Sequence, residues 1–155
     1  MKRVLVMSIA CLLLSVPAFA AESKAAATKI SKKAITAPNV PPAIGPYSRA
    51  IQAGSFLFVS GALGMDAEGK IVEGGVAAET KQSLDNIDIL LKAAGVSFDN
   101  VVKTTIFLTD MADFTTVNEV YGKRFSKDPP ARSTVAVKAL PRNGKVEIEV
   151  IAIVP

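Results

Sequence analysis

The sequence predicts a two-layer α+β domain, a mostly antiparallel sheet covered by two helices in the order β-β-α-β-α-β-β. Three observations predict it. Segments with two-residue alternation surround two segments whose apolar residues recur at helical spacing. Glycine and Asn-Gly punctuation separates these segments. The last segment, residues 146–154, carries apolar residues on both faces, as a strand covered from two sides does.

The elements follow in chain order. Pro38, Pro41, Pro42 and Pro46 impose an extended, non-helical opening segment that ends at Gly45-Pro46-Tyr47. Residues 49–53 and 55–63 read as strands joined by a tight turn at Gly54, and Asp66-Ala67-Glu68-Gly69 as the turn that closes them. From Val76 to Ala94, the residues Thr80, Leu84, Ile87, Leu91 and Ala94 form one helical stripe, and Gly95 stands where a helix stops. Residues 101–109 are a β-branched strand with Val102, Thr104, Ile106 and Leu108 on one face. A second helix is expected to start with Asp113 as its cap and run through Phe114, Val117 and Tyr121 to about Phe125. Residues 132–138 read as a strand, Asn143-Gly144 as a hairpin turn, and residues 146–154 as the returning strand. In that last strand Glu147, Glu149, Ile151 and Ile153 share one face, and Val146, Ile148, Val150, Ala152 and Val154 share the other. Helices can cover only one of these faces. The other predicts neighbouring subunits, hence an oligomer.

The first twenty residues read as a secretory signal peptide rather than as part of the fold. Lys2 and Arg3 form a positive start, Val4 to Val16 is an apolar stretch, and Ala18-Phe19-Ala20 supplies small residues before a cut expected between Ala20 and Ala21. The stretch is too short and wrongly flanked for a stable membrane anchor. A periplasmic or secreted protein is therefore expected, with no membrane attachment after cleavage. Residues 21–37, rich in Ala and Lys, read as a flexible lead-in, and residues 38–155 as one domain. Losing Lys2 and Arg3 lowers the net charge from +4 to +2. The remaining excess sits in Lys24, Lys29, Lys32 and Lys33, without aromatic residues or a folded basic face beside it, so no nucleic-acid partner is expected.

The only cysteine is Cys11, inside the apolar leader, and the chain has no histidine. Thiol nucleophiles, Ser-His triads and His- or Cys-ligated metals are thereby excluded from the mature chain. Chemistry falls to Arg, Lys, Tyr, Ser, Thr, Asp, Glu and the backbone. Two charges then stand out, Arg132 in Pro130-Ala131-Arg132-Ser133 and Glu147 in Val146-Glu147-Ile148-Glu149-Val150, each inside an apolar strand-like run. A guanidinium is a fork for a carboxylate. A half-desolvated carboxylate has its pKa raised and becomes a candidate base for water. One clamp and one base suit hydrolysis of a small anionic substrate. Spacing alone does not choose between Glu147 and Glu149.

Ala43-Ile44-Gly45-Pro46-Tyr47-Ser48-Arg49-Ala50, Phe58-Val59-Ser60-Gly61, Gln82-Ser83-Leu84-Asp85-Asn86-Ile87, Pro130-Ala131-Arg132-Ser133 and Val146-Glu147-Ile148-Glu149-Val150-Ile151-Ala152 together resemble the Rid family of reactive intermediate/imine deaminases, also called YjgF-like, from about residue 36 to 155. The resemblance implies a chorismate-mutase-like α+β fold and a homotrimer with sites in clefts between subunits. It implies hydrolysis of 2-imino acids such as 2-iminopropanoate and 2-iminobutanoate to 2-keto acids and ammonia, with no metal or organic cofactor. It assigns Arg132 to the substrate carboxylate, Glu147 rather than Glu149 to the water, and Tyr47 to the cleft wall. Ser60 and Gly61 would offer a hydroxyl and a backbone N–H, and Asn118 matches a site position. Thr134 stands where many members carry Cys, and Ala62 where many carry a longer polar residue. An exported copy also departs from the family's usual cytosolic setting. These departures keep a second reading in view, a periplasmic module that binds small carboxylic or 2-keto acids without turnover.

Overall fold

The computed structural model describes residues 31–125 and 127–155. The strands are β1 (Lys32–Ile35), β2 (Ala50–Ala53), β3 (Phe56–Leu63), β4 (Val101–Leu108), β5 (Ala131–Ala136) and β6 (Val146–Ile153). The helices are α1 (Gly75–Ala93) and α2 (Phe114–Tyr121). All six strands join one sheet in the order β1-β2-β3-β6-β4-β5. Helix α1 packs on β3, β6 and α2, which gives the expected two layers.

Four local expectations are corrected. The signal-peptide reading and most of the lead-in lie outside the described residues, but the end of the lead-in is a strand. Lys32–Ile35 pairs antiparallel with Ala50–Ala53, and Ile35 is buried in the core. The free edge of β2 recruits a segment whose own alternation is too short to be read. In β4 the pairing with β6 slips between Val101 and Lys103, so Val101 is buried and Val102 is 44% exposed. Such a bulge shifts the phase of alternation by one residue. Helix α2 is approached through a 3-10 turn at Met111–Asp113, capped by Asp110, whose carboxylate accepts from the Ala112 N–H at 2.9 Å, while Asp113 is helical and caps nothing.

The fourth correction concerns Asn143-Gly144, which does not close a hairpin between β5 and β6. Strand β5 pairs parallel with β4, and β6 lies between β3 and β4. The connection from β4 through α2 to β5 is a crossover unit, which favours parallel pairing. Strand β6 takes the central slot its two apolar faces require. Residues 141–143 instead make a 3-10 turn in which Arg142 and Asn143 take left-handed φ values of 59° and 57°.

The core fills the space between layers with Leu84, Ile87, Leu90 and Leu91 of α1, Val117 of α2, Ile106 and Leu108 of β4, and Val146, Ile148 and Val150 of β6. Each such side chain contributes about 1.5–3 kcal/mol through burial. Polar residues of α1 then fix the strands that carry the site. Ser83 donates to the Ala62 carbonyl at 2.7 Å, and Asn86 donates to those of Leu63 and Met65 at 3.2 and 2.9 Å. Glu79, also buried, accepts from the Lys145 N–H at 2.7 Å, just ahead of β6. Gly64 must lack a side chain, since a Cβ there would lie 2.5 Å from the Glu79 carbonyl oxygen. One helix thus anchors both the end of β3 and the start of β6. Among the described residues nothing covers the far face of the sheet, where Phe56 and Phe58 are 47% and 44% exposed.

Candidate active site

Where β3 meets β6, the register shifts between Val59 and Ala62, which makes Ser60-Gly61 a bulge. Bulges turn side chains and open backbone, and they recur beside active sites. The Glu147 side chain fills the opening. A Cβ on Gly61 would come within 2.6 Å of its Cδ and 3.0 Å of its Cγ, so only glycine lets the carboxylate lie there. Tyr47, Arg49, Ser60, Gly61 and Glu147 line a cleft of about 270 Å³, with Ile44, Leu63, Met65 and Pro141 as its apolar walls.

The opening segment is held over this cleft by hydrogen bonds. The Ser60 hydroxyl donates to the Ser48 carbonyl at 2.8 Å, and the Ser60 N–H donates to the Arg49 carbonyl at 3.0 Å. Both donors of Ser60 are therefore engaged by the protein, which leaves its hydroxyl oxygen in the cleft lining with acceptor capacity only. The Tyr47 hydroxyl accepts from the Ile44 N–H at 3.3 Å, which sets the ring against the cleft. Burial raises the Glu147 pKa above its ordinary 4.5, Glu149 raises it further, and Arg49 opposes both. This is the desolvated carboxylate that the apolar flanks of Glu147 predict.

A second cluster stands on the helix-covered face. Arg132 lies opposite Thr104 in the parallel β4–β5 register. Its guanidinium carbon is 4.8 Å from the Tyr121 ring centroid and 5.8 Å from that of Phe114. Tyr121 is itself pinned, because its hydroxyl and that of buried Thr104 are 2.9 Å apart. Burial raises the Tyr121 pKa, against the Thr104 hydrogen bond and the nearby Arg132 charge, so the ring stays neutral under the cation. Asn118 lies four residues after Phe114 and three before Tyr121, on the same stretch of α2 surface. Thr134 shares the face of Arg132 on β5, and its buried Oγ1 has no hydrogen-bond partner. Among the described residues, Arg132 has no acidic partner within ion-pair distance.

The predicted site residues therefore form two groups. Tyr47, Ser60, Gly61 and Glu147 meet in the cleft, while Arg132, Asn118 and Thr134 gather around the aromatic slot. Glu147 alternates with buried Val146 and Ile148, so it points away from the helices, whereas Arg132 points at α2. Within one chain the clamp and the base lie on opposite faces, with β4 between their strands. Sequence reasoning missed Arg49 as a cleft residue, and Phe114 and Tyr121 as the slot for Arg132. The signals available were a charge directly ahead of the buried Ala50, and two aromatics seven residues apart on one helix.

Fold and site define the class: a small α+β protein with a carboxylate cleft on the open sheet face and a guanidinium slot on the covered one. A family model described as Endoribonuclease L-PSP matches residues 34–154. The chain is 50% identical over 127 residues to the 2-iminobutanoate/2-iminopropanoate deaminase of Bos taurus, covering 81% of this chain and 93% of that protein. Among solved structures it is similar to the Rid family protein YyfA of Yersinia pestis, with 45% identity, a TM-score of 0.77, and coverage of 80% of this chain and 100% of that one. It is likewise similar to TdcF of E. coli with bound serine, at 38% identity and a TM-score of 0.75, covering 79% of this chain and 99% of that one. The chain belongs to the Rid family, as the sequence blocks implied.

Proposed function

We propose that this protein hydrolyses short 2-imino acids, such as 2-iminopropanoate and 2-iminobutanoate, to the 2-keto acid and ammonia. The observation that carries the reading is that one Rid frame presents both a half-buried carboxylate of raised pKa and, on its other face, a guanidinium with no acidic partner among the described residues. Arg132 takes the substrate carboxylate as a two-pronged fork and so orients the C=N carbon. Glu147 accepts a proton from water as its oxygen bonds to that carbon, giving a carbinolamine. Returning that proton to nitrogen completes the neutral carbinolamine. Glu147 then carries the hydroxyl proton to nitrogen as the C–N bond breaks, so one imine and one water become one keto acid and one ammonia. Tyr47 supplies a wall, and Gly61 supplies the space in which Glu147 moves. Asn118 and Thr134 border the carboxylate end.

Because the two clusters face opposite ways in one chain, the complete site takes Arg132 from one subunit and Glu147 from another. The resemblance implies a homotrimer, and the apolar open face bearing Phe56 and Phe58 is suited to such an assembly. Export through residues 1–20 completes the reading, and a mature N-terminus at Ala21, read by sequencing the secreted protein, tests it. For activity, an amino-acid oxidase generates the imine and its decay is followed with and without mature protein. Wild type accelerates the decay, while Arg132→Ala and Glu147→Ala each abolish most of the acceleration. Wild type no faster than buffer refutes the reading.

A further inference from the structure

The aromatic slot holds Arg132 without using up its donors. Rings meet a cation through their faces, here Tyr121 with its centroid 4.8 Å from the guanidinium carbon and Phe114 at 5.8 Å. The in-plane N–H edges stay available to a carboxylate. A clamp held this way is only as well placed as the rings beside it. Tyr121 is the nearer ring, and two contacts fix it. Phe125 packs on it with centroids 4.7 Å apart, and its hydroxyl lies 2.9 Å from that of buried Thr104. Thr104 on β4 is also the register partner of Arg132 on β5. The three residues thereby close a circuit through β4, α2 and β5: hydroxyl to hydroxyl, ring to guanidinium, and strand back to strand. Packing alone does not call for the hydroxyls, since phenylalanine and valine would fill the same space with no buried polar group to satisfy. A buried hydroxyl pair supplies direction rather than bulk.

We infer that Thr104 and Tyr121 are positioning residues: their paired hydroxyls fix the ring beside Arg132, and so fix where the substrate carboxylate is gripped. The inference deepens the imine-hydrolase reading and rests on it for the identity of the ligand. Both residues act through Arg132 rather than on the reacting atoms. Losing one hydroxyl orphans the other in the core, which costs stability. Losing both leaves apolar groups of nearly the same shape, so stability largely returns. Direction does not return with it, because the ring is then no longer tied to β4. Arg132 grips the carboxylate before and during the reaction, so a misplaced clamp shows mainly as a raised KM.

The test measures Tyr121→Phe, Thr104→Val, their combination and Thr104→Ser by urea unfolding and by the kinetics of imine hydrolysis. Tyr121→Phe and Thr104→Val are each expected to unfold at lower urea and to raise KM about threefold or more, with a smaller change in kcat. The double variant regains most of the lost stability while its KM stays at the single-variant level. Thr104→Ser, which keeps the hydroxyl, restores KM. A KM within about twofold of wild type in folded Tyr121→Phe overturns the inference. So does a double variant whose KM recovers along with stability, the mark of packing alone, or whose KM multiplies the two single effects, the mark of separate roles. A wild type that hydrolyses no imine refutes the catalytic reading instead, and the same pattern is then read in the dissociation constant of 2-ketobutyrate by calorimetry. A wild type that binds no 2-ketobutyrate either overturns the inference as well.

Discussion

Replacing Gly61 with alanine isolates the contact on which the cleft is built. The added methyl would sit 2.6 Å from the Cδ and 3.0 Å from the Cγ of Glu147. Carbon atoms prefer about 3.5–4.0 Å, so the carboxylate must withdraw by about 1 Å. The backbone gives no other reason for trouble, because Gly61 is absent from the positive-φ positions. The obstacle is a movable side chain, so the stability loss stays near the low end of the ~1–3 kcal/mol typical of overpacking. Catalysis is far more sensitive, and a displacement of this size costs about 10²-fold in kcat. The oxidase-coupled imine assay reads the rate, and urea unfolding reads stability. Gly54→Ala is the control. It sits at a left-handed φ of 59° with nothing near its new methyl, so it costs stability and leaves kcat alone. A folded Gly61→Ala protein turning over at the wild-type rate would refute a catalytic carboxylate lying over that glycine.

Glu147→Gln should lower kcat by about 10²–10⁴-fold with little change in KM, measured in the same assay. The variant should also alter pH-dependent stability. The folded Glu147 pKa is raised above 4.5, so its contribution is present below that value and lost as pH rises through the folded pKa. Glu147→Gln therefore gains stability over wild type at about pH 8 and loses that advantage near pH 4 in denaturation curves. Asn86→Ala removes two of the three hydrogen bonds by which α1 holds the end of β3, leaving that of Ser83, and urea unfolding should show a loss of about 1–3 kcal/mol. Tyr121→Leu strips the nearer ring from Arg132. A cation–π contact is worth ~0.5–2 kcal/mol, so KM should rise several-fold with kcat less affected.

The layers, both helices and the apolar residues on both faces of the last strand were legible, because 3.6- and two-residue periodicities report directly on which face is covered. Helix α1 shows this well: Leu84, Ile87 and Leu91 are buried as their spacing requires, and Gly95 turns the chain at a φ of 78°. Features decided by pairing partners were not legible. β1 exists because β2 offers it an edge, and β6 leaves β5 for the slot between β3 and β4. No local pattern in Asn143-Gly144 records that choice. The bulge at Val102 reverses an alternation that reads cleanly in the sequence. At the site, Arg132 and Glu147 were visible as charges in apolar runs, but their placement on opposite sheet faces depends on the register of β4 with β5 and β6. That Ser48 and Arg49 occupy both donors of Ser60 is likewise a property of the fold and not of the sequence. Arg49 was missed for the same reason, since its place in the cleft lining is set by the fold.

Combining two inactive variants tests most directly whether the hydrolytic centre is assembled from two chains. Arg132→Ala and Glu147→Ala are purified separately, dissociated, mixed in equal amounts and reassembled, and imine hydrolysis is measured before and after. In a closed ring with random mixing, each site has about one chance in four of drawing an intact Arg132 from one chain and an intact Glu147 from its neighbour. The expected result is recovery to about a quarter of the wild-type rate. Confirmed exchange of subunits without any rise above the separate variants would contradict a centre shared between chains.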